Sequence, residues 1–319
     1  MSPAKKFRKG ETYPEPLVIA PAGPHTHTII LLHGRGSNAE RFGLELLKSR
    51  TSGGRTLPEL FPGLKFIFPT AKKRRSTVLK RVPINQWFDN YSLLDPDERQ
   101  DLQYEGLHET SIFIHKIIAS EAEKVTLGRV VLGGLSQGCA AGLQALMNFY
   151  DQRTLSWGLE DDDSDVISRS PLRMAGFVGM SGWLPFASAI ADTSSLPPKA
   201  DDGADNQEDD IFEHGGEGQD EASASSLAFN LARDIASLES ISLLPDILPP
   251  FVHTPIFLGH GAMDEKVSVR LGEEARDTLE KLGCDVQWKA YEDLGHWYKV
   301  PDEIDDIVEF LKALSFGVR

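Results

Sequence analysis

Residues 130–147 read VVLGGLSQGCAAGLQALM, and Gly134-Leu135-Ser136-Gln137-Gly138 at their centre spell G-x-S-x-G. Gly and Ser are common residues, so the pentapeptide alone decides nothing. Its surroundings carry more. Val130-Val131-Leu132 is a short apolar run of the kind that forms a buried strand, and Ala140 to Met147 continue with helical periodicity. A serine on a sharp strand-to-helix turn is presented as a nucleophile, and small neighbours are what let such a turn close. Whether Ser136 is activated depends on the partners that the rest of the chain supplies.

Outward from this stretch, short apolar runs alternate with helical patterns. Strands are expected at Thr28–Leu32, Lys65–Phe68, Val130–Leu132, Ala175–Met180, Pro255–Gly259 and Val286–Ala290. Helices are expected over Asn38–Lys48 (with Asn38 near the N-cap), Gly106–Glu123, Val269–Leu282 and Asp302–Leu314. Strands alternating with helices imply an α/β fold, a mostly parallel central sheet covered on both faces. No internal repeat is visible, and a single domain over 1–319 is expected.

The net charge of −15 is unevenly placed. Residues 201–221 hold ten carboxylates and no Lys or Arg, and Glu160, Asp161, Asp162, Asp163 and Asp165 add five more, together the whole excess. Such acidic, Gly-rich stretches lack the apolar surface needed to order themselves, so 157–170 and 194–226 are expected to be disordered insertions. The charge balance disfavours nucleic-acid binding, and no nucleic-acid partner is expected. Cys139 and Cys284 do not resemble a disulfide framework, and Cys139 reads as a small buried hydrophobe. The opening MSPAKKFRKG lacks the apolar core of a secretory signal, and no run approaches a membrane span, so a cytoplasmic protein is expected.

A serine nucleophile needs a base, and the base needs an orienting carboxylate. In a parallel sheet functional groups gather at the carboxyl ends of strands. After 255–259 comes His260-Gly261-Ala262-Met263-Asp264, and after 286–290 comes Tyr291-Glu292-Asp293-Leu294-Gly295-His296. Ser136, Asp264 and His296 therefore appear in the order that an α/β-hydrolase fold requires. Rival assignments exist. Asp264 also suits a helix cap, Asp285 opens a strand at its wrong end, Asp293 lies too near His296, and His260 shares the acid's strand end. His108 and His115 read as surface or groove residues of a helix. His25 and His27 form an H-x-H with no further ligand at metal spacing.

The intermediate's negative charge needs donors. The Gln137 amide opens the helix after the nucleophile, and the loop His33-Gly34-Arg35-Gly36 directly follows the first expected strand. HGRG reads equally as a tight glycine turn without chemistry.

LLHGRG at 31–36, FPTA at 68–71, WFD at 87–89, GGLSQG at 133–138, MSGWLP at 180–185, HGAMDEKV at 260–267 and GH at 295–296 together resemble the phospholipase/carboxylesterase family, which includes the acyl-protein thioesterases. The likeness covers roughly residues 17–150, 172–186 and 250–316. It implies a Ser136–His296–Asp264 triad, oxyanion donors in the amides of Arg35 and Gln137, and an acyl site shaped by Trp87, Phe88, Trp183 and Leu184. No metal or organic cofactor is implied. Trp87 and Phe88 suit a core equally well. Two departures stand out: position 35 is typically apolar in the thioesterases, and the loop after FPTA reads Lys72-Lys73-Arg74-Arg75, then Lys80-Arg81. Those cations imply transient contact with an anionic membrane surface, or a solvated or nuclear-localisation-like run.

The resemblance implies a serine hydrolase of acyl thioesters or esters, foremost an acyl-protein thioesterase. A small-molecule carboxylesterase or lysophospholipase would use the same intermediate. A binding protein on an inactive hydrolase scaffold is the reading from another class, which the intact triad order disfavours.

Overall fold

The computed structural model describes residues 12–150, 173–194, 223–243 and 247–314. In chain order its strands are β1 (Leu17–Ile19), β2 (His27–Leu32), β3 (Leu64–Phe68), β4 (Lys73–Ser76), β5 (Val82–Asn85), β6 (Val130–Leu135), β7 (Gly176–Met180), β8 (Ile256–Gly261) and β9 (Val286–Tyr291). The helices are α1 (Ala39–Lys48), α2 (Leu57–Leu60), α3 (Tyr104–Val125), α4 (Gln137–Met147), α5 (Ala187–Asp192), α6 (Ala224–Ile235), α7 (Val269–Lys281) and α8 (Asp302–Ala313).

Seven strands form one sheet in the order β1-β3-β2-β6-β7-β8-β9, parallel except for β1. Strands buried on both faces need apolar residues at consecutive positions, and β2 supplies them. Ile29 and Leu31 join the core under α1 and α8, whereas Ile30 and Leu32 join the one under α3 and α4. From the β2–β6 pair the chain winds one way through β3 and the other way through β7, β8 and β9. In such sheets the crevice opens at the carboxyl ends of the strands flanking that reversal.

The helix caps follow ordinary rules: the Asn38 side chain accepts the Arg41 amide at 2.8 Å and so starts α1. Every strand and helix expected from periodicity is present, with ends shifted by a few residues.

Some elements carry too weak a pattern to be expected, among them β1, β4, β5 and α6. Strand β1 is short, half exposed and antiparallel at the sheet edge. Strands β4 and β5 read KRRS and VPIN, without an apolar alternation, and pair as a separate hairpin from Lys73↔Asn85 to Ser76↔Val82. Helix α6 buries Ala228, Phe229, Ala232 and Ile235, and it begins inside the stretch 194–226 assigned to an insertion. That boundary is corrected: the Ser223 side chain accepts the Ser226 amide and caps the helix. The acidic runs at 157–170 and 201–221 lie outside the described residues. No helix among the described residues is long and apolar enough to cross a membrane.

Candidate active site

Ser136 stands between β6 and α4 with φ 57° and ψ −123°, a conformation a non-glycine residue adopts only under constraint. The constraint is visible. The Ser136 amide donates to the Met180 carbonyl at 2.8 Å, and its carbonyl accepts from Ala140 at 3.1 Å. The motif's glycines are sterically required. A Cβ on Gly138 would lie 2.2 Å from the Leu32 carbonyl oxygen, and one on Gly134 would lie 2.5 Å from the Gly138 carbonyl carbon.

His296 reaches this hydroxyl. Its Nε2 lies 2.8 Å from Ser136 Oγ, and its Nδ1 lies 2.7 Å from Asp264 Oδ2. The carboxylate accepts from Nδ1, so Nε2 is the nitrogen left to receive the Ser136 proton. The other oxygen of Asp264 accepts the amides of Lys266 and Val267, each at 2.9 Å. Burial alone would raise the Asp264 pKa, but bonding from His260, His296 and the Val267 amide outweighs it and holds the group well below the usual carboxylate range. Asp264 therefore stays charged while it orients the imidazole.

The rivals fall into other roles. His260 Nε2 is nearer the Val267 carbonyl, at 2.9 Å, than Asp264 Oδ2, at 3.4 Å. A carbonyl only accepts, so Nε2 carries hydrogen and the buried ring braces the acid's turn. Asp293 is exposed and pairs with Lys299. His108 and His115 are half-buried and bond the carbonyls of Ala236, at 2.6 Å, and Ala145, at 2.9 Å, tying α3 to the end of α6 and to α4.

The amides of Gln137 and Arg35 have no acceptor among the described residues. A Cβ on Gly34 would lie 3.4 Å from Ser136 Cβ, so the loop after β2 passes close against the nucleophile. His33 holds that loop. Its Nδ1 donates to the Gly34 carbonyl at 2.7 Å while its Nε2 accepts the Ala71 amide at 3.0 Å. Burial pushes its pKa down to about 4, which keeps the ring neutral and lets one nitrogen accept. The sequence shows this residue only as the first letter of HGRG, and nothing in that letter distinguishes a brace from a turn.

Trp87 and Phe88 require a correction. Both are fully buried and offer no surface to an acyl chain. The Trp87 indole donates to the His33 carbonyl at 2.7 Å, and its amide donates to the Gln137 side chain at 3.0 Å. A buried indole N–H needs an acceptor, and here that need secures the loop beside Ser136. Trp183 and Leu184 are also buried, but they line a small cleft of about 60 Å³ with Leu94, Asp95, Asp97, Ala187, Leu271 and Glu274. Trp183 Nε1 is buried without a partner among the described residues. The basic loop is a hairpin in which Lys72 and Arg74 share Glu109 at 2.7 and 2.5 Å, while Lys73, Arg75, Lys80 and Arg81 are exposed. The Arg35 side chain lies beneath it, bonded to Gln86 and Ser76.

A hydroxyl, an imidazole and a carboxylate delivered by separate strand ends of a parallel sheet, in that spatial relay, put the protein among the α/β-hydrolases. Within that class the chain belongs to the phospholipase/carboxylesterase family, whose model matches residues 14–154 and 234–315. It is 25% identical over 301 residues to acyl-protein thioesterase 1 of Gibberella zeae, covering 93% of this chain and 94% of that protein. Against acyl-protein thioesterase 1 of Schizosaccharomyces pombe it is 29% identical over 184 residues, 57% of this chain and 67% of the relative. Among solved structures, Zea mays acyl-protein thioesterase 2 superposes with a TM-score of 0.60 at 24% identity, covering 96% of this chain and all of that one.

Proposed function

We propose that the protein hydrolyses acyl thioesters or esters through an acyl-enzyme on Ser136, acting foremost as an acyl-protein thioesterase. The observation that carries this reading is the continuous hydrogen-bonded relay from Ser136 Oγ through His296 to Asp264. Ser136 Oγ attacks the acyl carbonyl as its proton passes to His296 Nε2. Asp264 stabilises the imidazolium that forms, and the amides of Arg35 and Gln137 receive the developing oxyanion. The Gln137 amide opens α4, so the helix dipole favours charge there. His296 then protonates the departing thiol or alcohol. Water, deprotonated by the same nitrogen, releases the acid and restores Ser136.

Two features support an acylated protein as substrate. Relatives matched over most of their length bear the name acyl-protein thioesterase 1, and Trp183 and Leu184 border a small cleft that is lined by Leu94, Ala187 and Leu271 together with Asp95, Asp97 and Glu274. A cytosolic location and transient contact of the β4–β5 hairpin with anionic membrane belong to the same reading. Small esters and lysophospholipids would pass through the same intermediate and are the second substrate class.

A fluorophosphonate probe is expected to label Ser136, as peptide mapping would show. Ser136→Ala should lose labelling and reduce kcat by roughly a thousandfold or more. Labelling elsewhere, or retained turnover, would remove the assignment.

A further inference from the structure

Arg35 holds a positive charge, on the loop that passes the nucleophile, with no salt-bridge partner among the described residues. Its Nε donates to Gln86 Oε1 at 3.1 Å and its Nη2 to Ser76 Oγ at 2.6 Å, both neutral oxygens. The nearest acid acting on it is Asp89, whose carboxylate is already engaged by the Thr77 amide at 3.1 Å, the Thr77 hydroxyl and Gln86 Nε2 at 3.3 Å. Gln86 thus stands between the two charges, with its oxygen to Arg35 and its nitrogen to Asp89. Both N–H groups on Nη1, and the second on Nη2, have no acceptor among the described residues, and the residue is half-buried.

The backbone of Arg35 lies at the crevice. Arg35 follows β2 and Ser136 follows β6, the two strands that flank the sheet's reversal. Gly34, its neighbour, would place a Cβ 4.0 Å from Ser136 Oγ. Gln86, which holds Nε, precedes Trp87, whose amide bonds the Gln137 side chain. The surrounding field has the same sign. Residues 72–85 carry Lys72, Lys73, Arg74, Arg75, Lys80 and Arg81 and no acid, in a chain of net charge −15. Glu109 offsets part of this through Lys72 and Arg74.

Resting on the hydrolase reading above, we propose that the Arg35 guanidinium reads a carboxylate carried by the substrate close to its scissile ester or thioester bond. The planar fork suits a carboxylate, which its open N–H groups would bind while Ser76 and Gln86 keep the guanidinium in place. A saturated chain laid against this half-buried charge would strip its water and return no hydrogen bond. Burial weakens the guanidinium's hold on its proton and Asp89 opposes this, yet an arginine stays charged at physiological pH. The substrate class that follows is an anionic acyl compound, with the carboxylate on the acyl part or on the thiol or alcohol part.

The test compares kcat/KM for two matched pairs of short thioesters. One pair carries a terminal carboxylate or its methyl ester on the acyl part, and the other a carboxylate or a carboxamide on the thiol part. Wild type should prefer the anionic member of one pair by roughly ten- to a hundredfold, and that pair identifies the side Arg35 faces. Arg35→Gln should bring this ratio close to one, and Arg35→Glu should reverse it. The ratio cancels any change at the residue 35 amide, because both substrates use it alike. If Arg35→Gln does not fold, Arg35→Lys should still lower the ratio several-fold through loss of the fork. A wild-type ratio near one in both pairs, or a ratio unchanged in these variants, overturns the proposal. No turnover of any substrate, with no labelling of Ser136, would overturn the hydrolase reading and this one with it.

Discussion

The Gln137 side chain is wholly committed to the loop of Trp87: Oε1 accepts the Trp87 amide at 3.0 Å, and Nε2 donates to the Phe88 carbonyl at 2.8 Å and to Asn90 Oδ1 at 3.1 Å. The residue proposed to offer its amide to the oxyanion thus has its side chain anchoring the segment Trp87 to Asn90. Gln137→Ala retains the amide but strands a buried donor and acceptor, and should cost about 2–3 kcal/mol in denaturant unfolding. Gln137→Glu should cost more at neutral pH, because a second acceptor would face two oxygens. Equal stability of Ala and wild type would show that water fills the gap.

Gly138→Ala tests the elbow. The added methyl would meet the backbone carbonyls of Leu32 and His33 at 2.2 and 2.6 Å, and neither can rotate aside. The shift needed would pull the N-terminus of α4 from β2 and carry Ser136 with it. Fluorophosphonate labelling should be lost, or the variant should fail to fold. Normal labelling would mean that the turn closes more loosely than the geometry allows.

How far the sequence speaks for itself can be judged from these same residues. Ser136, Asp264 and His296 were legible because each follows a strand that apolar runs mark plainly, and parallel topology brings those strand ends to one edge. Trp87 was not, because an aromatic in a polar loop has one signature whether it lines a pocket or bonds a carbonyl behind it. The hairpin was hidden because cross-strand backbone pairing holds it, and KRRS carries no burial pattern. Helix α6 was obscured by its nearness to an acidic run, although Ala228, Ala232 and Ile235 are buried at helical spacing. His33 needed three dimensions, since its partner at Ala71 comes from the next strand's end.

Buried titratable groups set the pH profile of stability, with opposing signs. His33 and His115 have folded pKa values near 4 against an ordinary 6.5, each lowered by burial. Folding therefore favours their neutral forms, and that stability is complete above about pH 6.5 and lost as pH falls towards 4. Glu303 is raised from 4.5 to about 8 by burial, with its Oε1 unpartnered among the described residues. Its contribution is complete below about pH 4.5 and lost as pH rises to 8. Each group contributes a slope of about 1.4 kcal/mol per pH unit. Two histidines outweigh one glutamate below pH 6.5, and the glutamate acts alone above it. Stability attributable to them should peak near pH 6.5. Glu303→Gln retains the acceptor for the Lys299 amide and should flatten the alkaline limb in unfolding measured from pH 6.5 to 8. An unchanged alkaline slope would assign that limb to other groups.

The hairpin's charges divide into two sets with different expected effects. Lys72 and Arg74 are mostly buried and share Glu109, so replacing them would unpair that acid and disturb α3. Lys73, Arg75, Lys80 and Arg81 are exposed, and they surround Val78, Leu79 and Val82, which are 45%, 46% and 52% exposed. Exposed apolar residues ringed by cations suit the boundary of an anionic bilayer, where each Lys or Arg contributes on the order of 1 kcal/mol. Changing these four cations to Ala should weaken cosedimentation with phosphatidylserine vesicles at least tenfold at low salt. The difference should shrink as salt shortens the Debye length towards about 8 Å. Turnover of a short water-soluble neutral thioester should change by less than about twofold, because the altered side chains touch neither Ser136 nor His296. The chain's net charge of −15 opposes approach to the same surface, so the effect requires that the hairpin's local field prevail at contact distance. Equal partitioning of both proteins onto anionic and neutral vesicles at low salt would show that it does not.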